Sequence, residues 1–410
     1  MKRASLGTLF LTVFLDLLGF GLVVPFLPGV ARALGASDAV APLLGAVYSL
    51  MQFLFIPVWG RLSDRVGRRP VLLVSIAASA VGMASLGFAG TLPLLFAARV
   101  FSGVATSNIA VAQAYIADVT APSERARGMG VIGVAFGMGF IFGPFLGGEL
   151  GRFVVFGHQG AAAAFAASGL SLLNLALALR YLPESLPPER RGLDARHGSP
   201  FDLSRLRTAF ALPGVGVALG VNFIVVLSFA GMEQTFRLFT ADAFGMGDAG
   251  TGRVLGVVGV IAAIVQGGAI RPLSRRYGET RLVQAGVLLQ VVAFAMLAAS
   301  PGFARGPVAM LFAASGVLAL GSGLTSPSLS SYVSRRGTAT AQGATLGVLQ
   351  SLSALGRVAG PTIAGTVYGW LGPSATYYGA ALGMAAGAVL TLGLETTSPS
   401  LTAEAPVAGH

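Results

Sequence analysis

Runs of about 20 apolar residues, the length that carries a helix across a bilayer, recur along the whole chain between short polar stretches. Their pattern predicts spans near 6–28, 42–60, 71–90, 93–117, 128–149 and 161–182. A second set follows near 211–239, 251–270, 281–300, 307–333, 340–369 and 374–394. Between the sets lies PESLPPERRGLDARHGSPFDLSRLR, rich in proline and charge. The fold class expected is an all-α membrane protein with twelve transmembrane helices, arranged as two six-helix bundles related by a pseudo-two-fold axis. Residues 1–182 form the N-terminal bundle, 183–209 a cytoplasmic linker and 210–396 the C-terminal bundle. The small, polar stretch 397–410 is expected to be a disordered tail.

The two sets repeat one another. GRLSDRVGRRPVLLV after span 2 has a weaker echo, RPLSRRYGETRLVQA, after span 8, and LPES at the end of span 6 is matched by LETT after span 12. The strongest echo is in span 5, where Gly130, Gly139, Gly143, Pro144, Gly147 and Gly148 follow the spacing G-x8-G-x3-G-P-x2-G-G. Gly347, Gly356, Gly360, Pro361, Ala364 and Gly365 repeat it in span 11, with one alanine substituted. At 3.6 residues per turn, Gly139, Gly143 and Gly147 share one face, while Gly130 and Gly148 lie roughly on the other. Small residues let helices approach closely in lipid, where no hydrophobic drive pulls them together. The Gly143-Pro144 step removes a backbone donor and permits a bend. Parallel six-helix repeats are one plan for secondary transporters, with the substrate site between the halves.

Composition narrows the class. Charged residues make up 10% of the 410 and hydrophobic residues 54%, with a mean hydropathy of +0.77, far too apolar for a soluble domain. The net charge of +11 reflects topology. Arginines cluster in alternate loops (Arg61, Arg65, Arg68, Arg69; Arg125, Arg127; Arg190 to Arg207; Arg271 to Arg281; Arg335, Arg336), whereas the intervening loops hold single ones such as Arg32, Arg152, Arg237, Arg253 and Arg305. By the positive-inside rule both termini are cytoplasmic. Nucleic-acid binding is not expected, because no basic patch is interleaved with aromatics. No cysteine is present, which removes disulfides, thiol nucleophiles and thiolate metal sites. The three histidines, His158, His197 and His410, fall in loops or the tail, so no hydrolase constellation is expected, and no ATP-binding loop occurs.

The motifs resemble those of a known family. G-x8-G-x3-G-P-x2-G-G resembles the antiporter motif of the major facilitator superfamily, found in its drug/proton exporters. Gly60-Arg61-Leu62-Ser63-Asp64-Arg65-Val66-Gly67-Arg68-Arg69 resembles the superfamily's signature between spans 2 and 3. LLFAARVFSGVA, with Arg99 and Gly103, is similar to its fourth-span motif; LDLLGFGLVVPFLP, with Asp16, Gly19, Pro25 and Pro28, is similar to the first span of the twelve-span drug exporters, tetracycline exporters included. The resemblance implies a proton-coupled exporter of small amphipathic compounds or drugs working by alternating access. It further implies a monomer in a bacterial-type cytoplasmic (inner) membrane, whose partners are protons, a small-molecule substrate and the bilayer. No enzymatic activity, cofactor or metal is expected. Export of a metabolite such as a sugar or siderophore, or facilitated or symport movement on the same fold, are the alternatives. Where the tetracycline exporters carry a histidine in span 8 and an acid in span 9, this chain has Gln266, and Gln284 with Gln290.

Within the spans, Asp16 lies about 15 Å deep at 1.5 Å per residue. A carboxylate at that depth is costly and a functional hypothesis by default. The resemblance links Arg99 to proton coupling, as a fixed cation beside an acid. Arg99 in span 4 and Arg357 in span 11 are the basic residues expected in the membrane core, and one acid–arginine set per half is expected: Asp16 with Arg99, Glu233 with Arg357. Asn108, Gln113, Asn222, Gln234 and Gln350 are the candidate polar side chains of a central cavity, with interhelical hydrogen bonding as the alternative for each. Phe136, Phe140 and Phe236 are a candidate apolar wall, with helix packing the expected role of any one. By resemblance, Gly60, Asp64, Arg65, Gly67, Arg68, Arg69 and Asp118 form a cytoplasmic latch. In it Asp64 caps the start of span 11 when that side is closed, a position favourable to a carboxylate, and Arg68 pairs with Asp118. Arg275 stands where Asp64 stands in the first half, so the latch is one-sided.

Overall fold

The computed structural model describes residues 6–120, 135, 138–139, 142–192, 207, 210, 212–336 and 342–395. Gly130, Phe136, Phe140, Arg125, Arg127, most of the linker and the 397–410 tail lie outside the described residues.

The described apolar runs are helices. The first span is two of them, α1 (Leu6–Val23) and α2 (Leu27–Ala33), parted around Pro25. Next come α3 (Leu43–Val66) and α4 (Arg68–Gly87). The fourth span is again double, α5 (Leu92–Ala105) and α6 (Ile109–Val119). Residues 142–151 are helical and precede α7 (Ala161–Tyr181). The second half holds α8 (Val215–Phe244), α9 (Asp248–Ile264), α10 (Ile270–Ala299), α11 (Pro307–Arg336) and α12 (Gln342–Thr391). A π-helical turn, Val265–Ala269, joins α9 to α10. Eight stretches among the described residues are long and apolar enough to cross a membrane, one of them, Asp248–Gly302, 55 residues long.

Helices overrun the hydropathy spans at their polar ends. Helix α3 continues to Val66, where the Gly67 N–H donates to the Ser63 carbonyl (3.0 Å), and within its last turns Ser63 Oγ donates to the Gly60 carbonyl (2.7 Å). Helix α8 runs on to Phe244, which puts Arg237 inside a helix rather than in a loop. Gly67 stops α3 with φ 111° and ψ 157°, and Gly278, its counterpart in the repeated loop, kinks α10 with φ 75° and ψ 161°. Both conformations favour glycine, so the sequence echo is also an echo in backbone shape.

Helices α1 to α7 pack on one another, α4 against α7 and α5, α1 against α7; α8 to α12 do the same, α8 against α12 and α10 against α11. The two sets meet through α3 against α12 and α2 against α8. Outward faces are apolar too. Val74, Val81, Leu172, Leu382 and Val389 are each more than half exposed, the arrangement of a surface solvated by hydrocarbon.

Candidate functional site: a charged cluster between the two sets of helices

The break between α5 and α6 builds the polar centre. Residues Thr106 to Asn108 leave the helix, and their neighbours' carbonyls must find donors inside a membrane. Trp59 Nε1 donates to Val104 (2.7 Å) and Ser75 Oγ to Ala105. Thr106 and Ser107 hydroxyls fold back on Ser102 and Gly103 at 2.8 and 2.7 Å. Tyr48 on α3 then shares a hydrogen bond with Thr106 Oγ1 at 2.7 Å, and Gln52 Nε2 donates to Tyr48 at 3.1 Å.

Around this break stand the intramembrane charges. Asp16 on α1 is half-buried and lies near the Asn108 side chain. Arg99 on α5 is 2% exposed. Its guanidinium lies 4.1 Å from the centre of the Tyr48 ring, a contact worth about 2 kcal/mol when desolvated. Nε makes one long bond to the Leu44 carbonyl (3.4 Å), and Nη1 has no acceptor. From the other set of helices come Glu233 on α8 and Arg357 on α12, both half-buried. Glu233 lies in the field of Arg357 and of Arg99.

The expected pairs are therefore redistributed. Asp16 and Arg99 make no ion pair among the described residues: Asp16 lies near Asn108, and the Tyr48 ring takes the guanidinium. Glu233 and Arg357 interact electrostatically without closing to an ion pair. Gln234 is buried against Gly45 of α3. Asn222 is buried and donates to Ser353 Oγ at 2.8 Å, stitching α8 to α12. Gln113 and Gln350 are exposed. Phe236 is 2% exposed and packs among aromatics with Phe239 and Tyr377 rather than lining an open wall. Gln290 and Gln284 bond Thr325 Oγ1 (3.0 Å) and the Thr391 carbonyl (3.2 Å) respectively, tying α10 to its neighbours, while Gln266 is exposed.

At the arginine-rich end, Arg68 is the hub. Its Nη1 bonds Ser63 Oγ (2.7 Å) and the Asp64 carboxylate, and Nε lies 3.2 Å from Asp118 Oδ2. Asp64 is thus held in its own half by a residue one turn on; the start of span 11, residues 337–341, lies outside the described residues. Arg69 donates to the Leu182 and Leu179 carbonyls (2.7 and 2.9 Å). Arg65 is exposed, and Gly60 has open space around it. The sequence reading missed Glu184, whose carboxylate accepts from the backbone N–H of Arg68 (2.9 Å), Arg69 (3.2 Å), Ser185 (3.0 Å) and Leu186 (3.0 Å). It caps α4 and sits where a Gly67 side chain would have to go. The LPES/LETT echo was its available signal.

The opposite end joins the two sets of helices. Arg32 bonds Asp38 (2.6 Å) and, across the interface, Asp242 (2.5 Å), which also accepts from Tyr368 Oη (2.8 Å). Arg253 Nε reaches Glu149 at 2.8 Å. Arg237 bonds Asp248 (2.5 Å) and packs over Gly29. Glycines make the approach possible. Gly139, Gly143 and Gly147 face Leu17, Gly21 and Leu22 of α1, while Gly148, on the other side, faces Gly252 of α9, and Pro144 lies between Gly21 and Gly252. In the repeat, Gly356 and Gly360 face Leu227 of α8, and Gly365 faces Ala39 and Pro42.

A many-helix membrane protein with opposed charges buried where its two sets of helices meet belongs to the class of small-molecule transporters. The chain belongs to the Major Facilitator Superfamily, whose family model matches residues 9–357 and 272–408. It is 36% identical to the tetracycline resistance protein, class C, of Escherichia coli, over 87% of this chain and 88% of that protein. It is 31% identical to human major facilitator superfamily domain-containing protein 10, over 90% and 88% of the two chains. The crystal structure of that human organic anion transporter superposes with a TM-score of 0.70 at 27% identity, covering 94% of this chain and 98% of the other. A bacterial Spinster homologue in an inward-facing conformation, 14% identical, has the same fold with a TM-score of 0.70 over 94% of each chain.

Proposed function

We propose that the protein exports small amphipathic compounds in exchange for protons, by alternating access between two six-helix bundles, residues 1–182 and 210–396, joined by the 183–209 linker. The observation that carries this is the cluster of Asp16, Asn108, Arg99, Glu233 and Arg357, drawn from both sets of helices. A buried carboxylate without a fixed cationic partner can take and return a proton, whereas one locked in an ion pair cannot. In this reading α1–α2 and α5–α6 each count as one span, and the Asp248–Gly302 and α12 stretches each divide into two, at the Gly278 and Gly372 kinks. With both termini cytoplasmic, the bridged end of the molecule faces outward, so the state described is closed to the outside. Latch residues around Arg68 hold the first bundle's inner end, and Asp64 is free to change partners when that end closes. The similarity to tetracycline resistance proteins supports drug export from a bacterial inner membrane. The similarity to an organic anion transporter supports a second reading, export of an anionic metabolite on the same framework.

Transport in proteoliposomes with an imposed pH gradient tests the proposal. The wild-type protein is expected to move ethidium or tetracycline only with the gradient present, and Asp16→Asn is expected to abolish that dependence. Gradient-independent movement by the wild type would mark a facilitator instead.

A further inference from the structure

Arg99 is a poorly accommodated charge. It is 2% exposed, makes one long bond to a carbonyl and leaves Nη1 without an acceptor. Arg32, Arg68 and Arg237 each hold a carboxylate at 3.2 Å or less; among the described residues Arg99 holds none. What it has is the face of Tyr48, 4.1 Å away. That ring is itself fixed. Its hydroxyl is bonded to Thr106 at the α5–α6 break, Gln52 donates to it, and Phe20 stacks on it at 5.2 Å.

The charged and titratable groups facing Arg99 are few. Tyr48 on α3 and Glu233 on α8 act on it directly, while Asp16 on α1 and Arg357 on α12 lie in the field of Tyr48. Helix α4, also packed on α5, brings Ser75 and Gly82, neither of which titrates. Arg99 and Glu233 belong to opposite sets of helices. An ion pair between them would be a dry bridge across the interface that must part in every cycle, and buried pairs of that kind are hard to break.

We propose that Tyr48 is a positioning residue of the exchange mechanism: its ring holds the Arg99 guanidinium off Glu233, so that no ion pair closes between the two bundles within the membrane. Glu233 is then left facing Arg357 of its own bundle and remains free to exchange a proton. The inference rests on the proton-exchange reading above and adds a residue to it.

The test uses the full chain in proteoliposomes with ethidium as probe, together with an infrared titration of the Glu233 carboxyl band, isolated by difference against Glu233→Gln. In Tyr48→Leu, Arg99 is released. Turnover is expected to fall about tenfold with little change in KM, and Glu233 is expected to protonate only at more acidic pH, by about 1 unit or more. Tyr48→Phe keeps the ring face and its stacking on Phe20 but loses the bonds to Thr106 and Gln52, and is expected to lie between the wild type and the leucine variant in both measurements. Tyr48→Met replaces the leucine variant if the latter does not fold. An unchanged Glu233 titration in the leucine or methionine variant overturns the inference, as does a phenylalanine variant equally impaired in both measurements. If the wild type moves no ethidium, the exchange reading fails, while the infrared titration still decides the role of Tyr48.

Discussion

At Arg68 a single side chain gathers Ser63, Asp64 and Asp118, and its backbone N–H is taken by Glu184. Removing the guanidinium leaves two partly buried carboxylates facing each other without a cation. Arg68→Ala is expected to lower stability by about 1.5–3 kcal/mol, the scale of hydrogen bonds to charged groups. Thermal unfolding in detergent measures this, and Arg68→Lys, which restores charge without the fork, is expected to recover part of it. Asp16 and Arg99 stand out in the sequence because charge is rare in apolar runs. Tyr48 does not, because a tyrosine in such a run looks like any packing residue until the guanidinium above it is located. The partners of Asp16 and Arg99 were equally out of reach, since helix periodicity carries no distance between one span and another.

Among the elements, the glycine-rich fifth span and its repeat show what the spacing encodes. Gly147 faces the Leu22 backbone, whereas Ala364, its counterpart, faces Gly231, so the small residue has moved to the partner helix. A Cβ at Gly231 would meet the Ala364 Cβ at 2.9 Å and the Gly360 carbonyl at 3.0 Å. Gly231→Ala is therefore expected to impair both folding yield and transport, and Ala364→Gly to rescue part of the loss; a rescue of zero would mean that α8 and α12 are not packed this way. The two-faced character of the fifth span was legible from spacing alone, down to Gly148 lying on the opposite side from Gly143. The breaks at 24–26 and 106–108 were not, because hydropathy runs through them undisturbed. At 106–108 the outside donors Trp59 and Ser75 take the carbonyls of Val104 and Ala105.

For the whole molecule, the described side-chain bridges between the two sets of helices lie at one end, in Arg32–Asp242 and Arg253–Glu149, with Gly148 against Gly252 in the same region. These arginines read in the sequence only as isolated charges on the sparsely basic side, and their partners lie 210 and 104 residues away. Arg32→Gln is expected to open that end in a larger fraction of molecules, and Gly148→Leu to do so more strongly, since its side chain would collide with the Gly252 backbone. The absence of cysteine allows paired spin labels to be placed cleanly through Val154→Cys and Phe303→Cys, in loops of the two halves. Their distance distribution as a function of pH is the most direct test of the central claim that protons held in the buried cluster control which side is open. The account predicts a short-distance population that changes with pH in the wild type and stays constant in Asp16→Asn; a distribution that ignores pH in the wild type, or follows it unchanged in the variant, contradicts it.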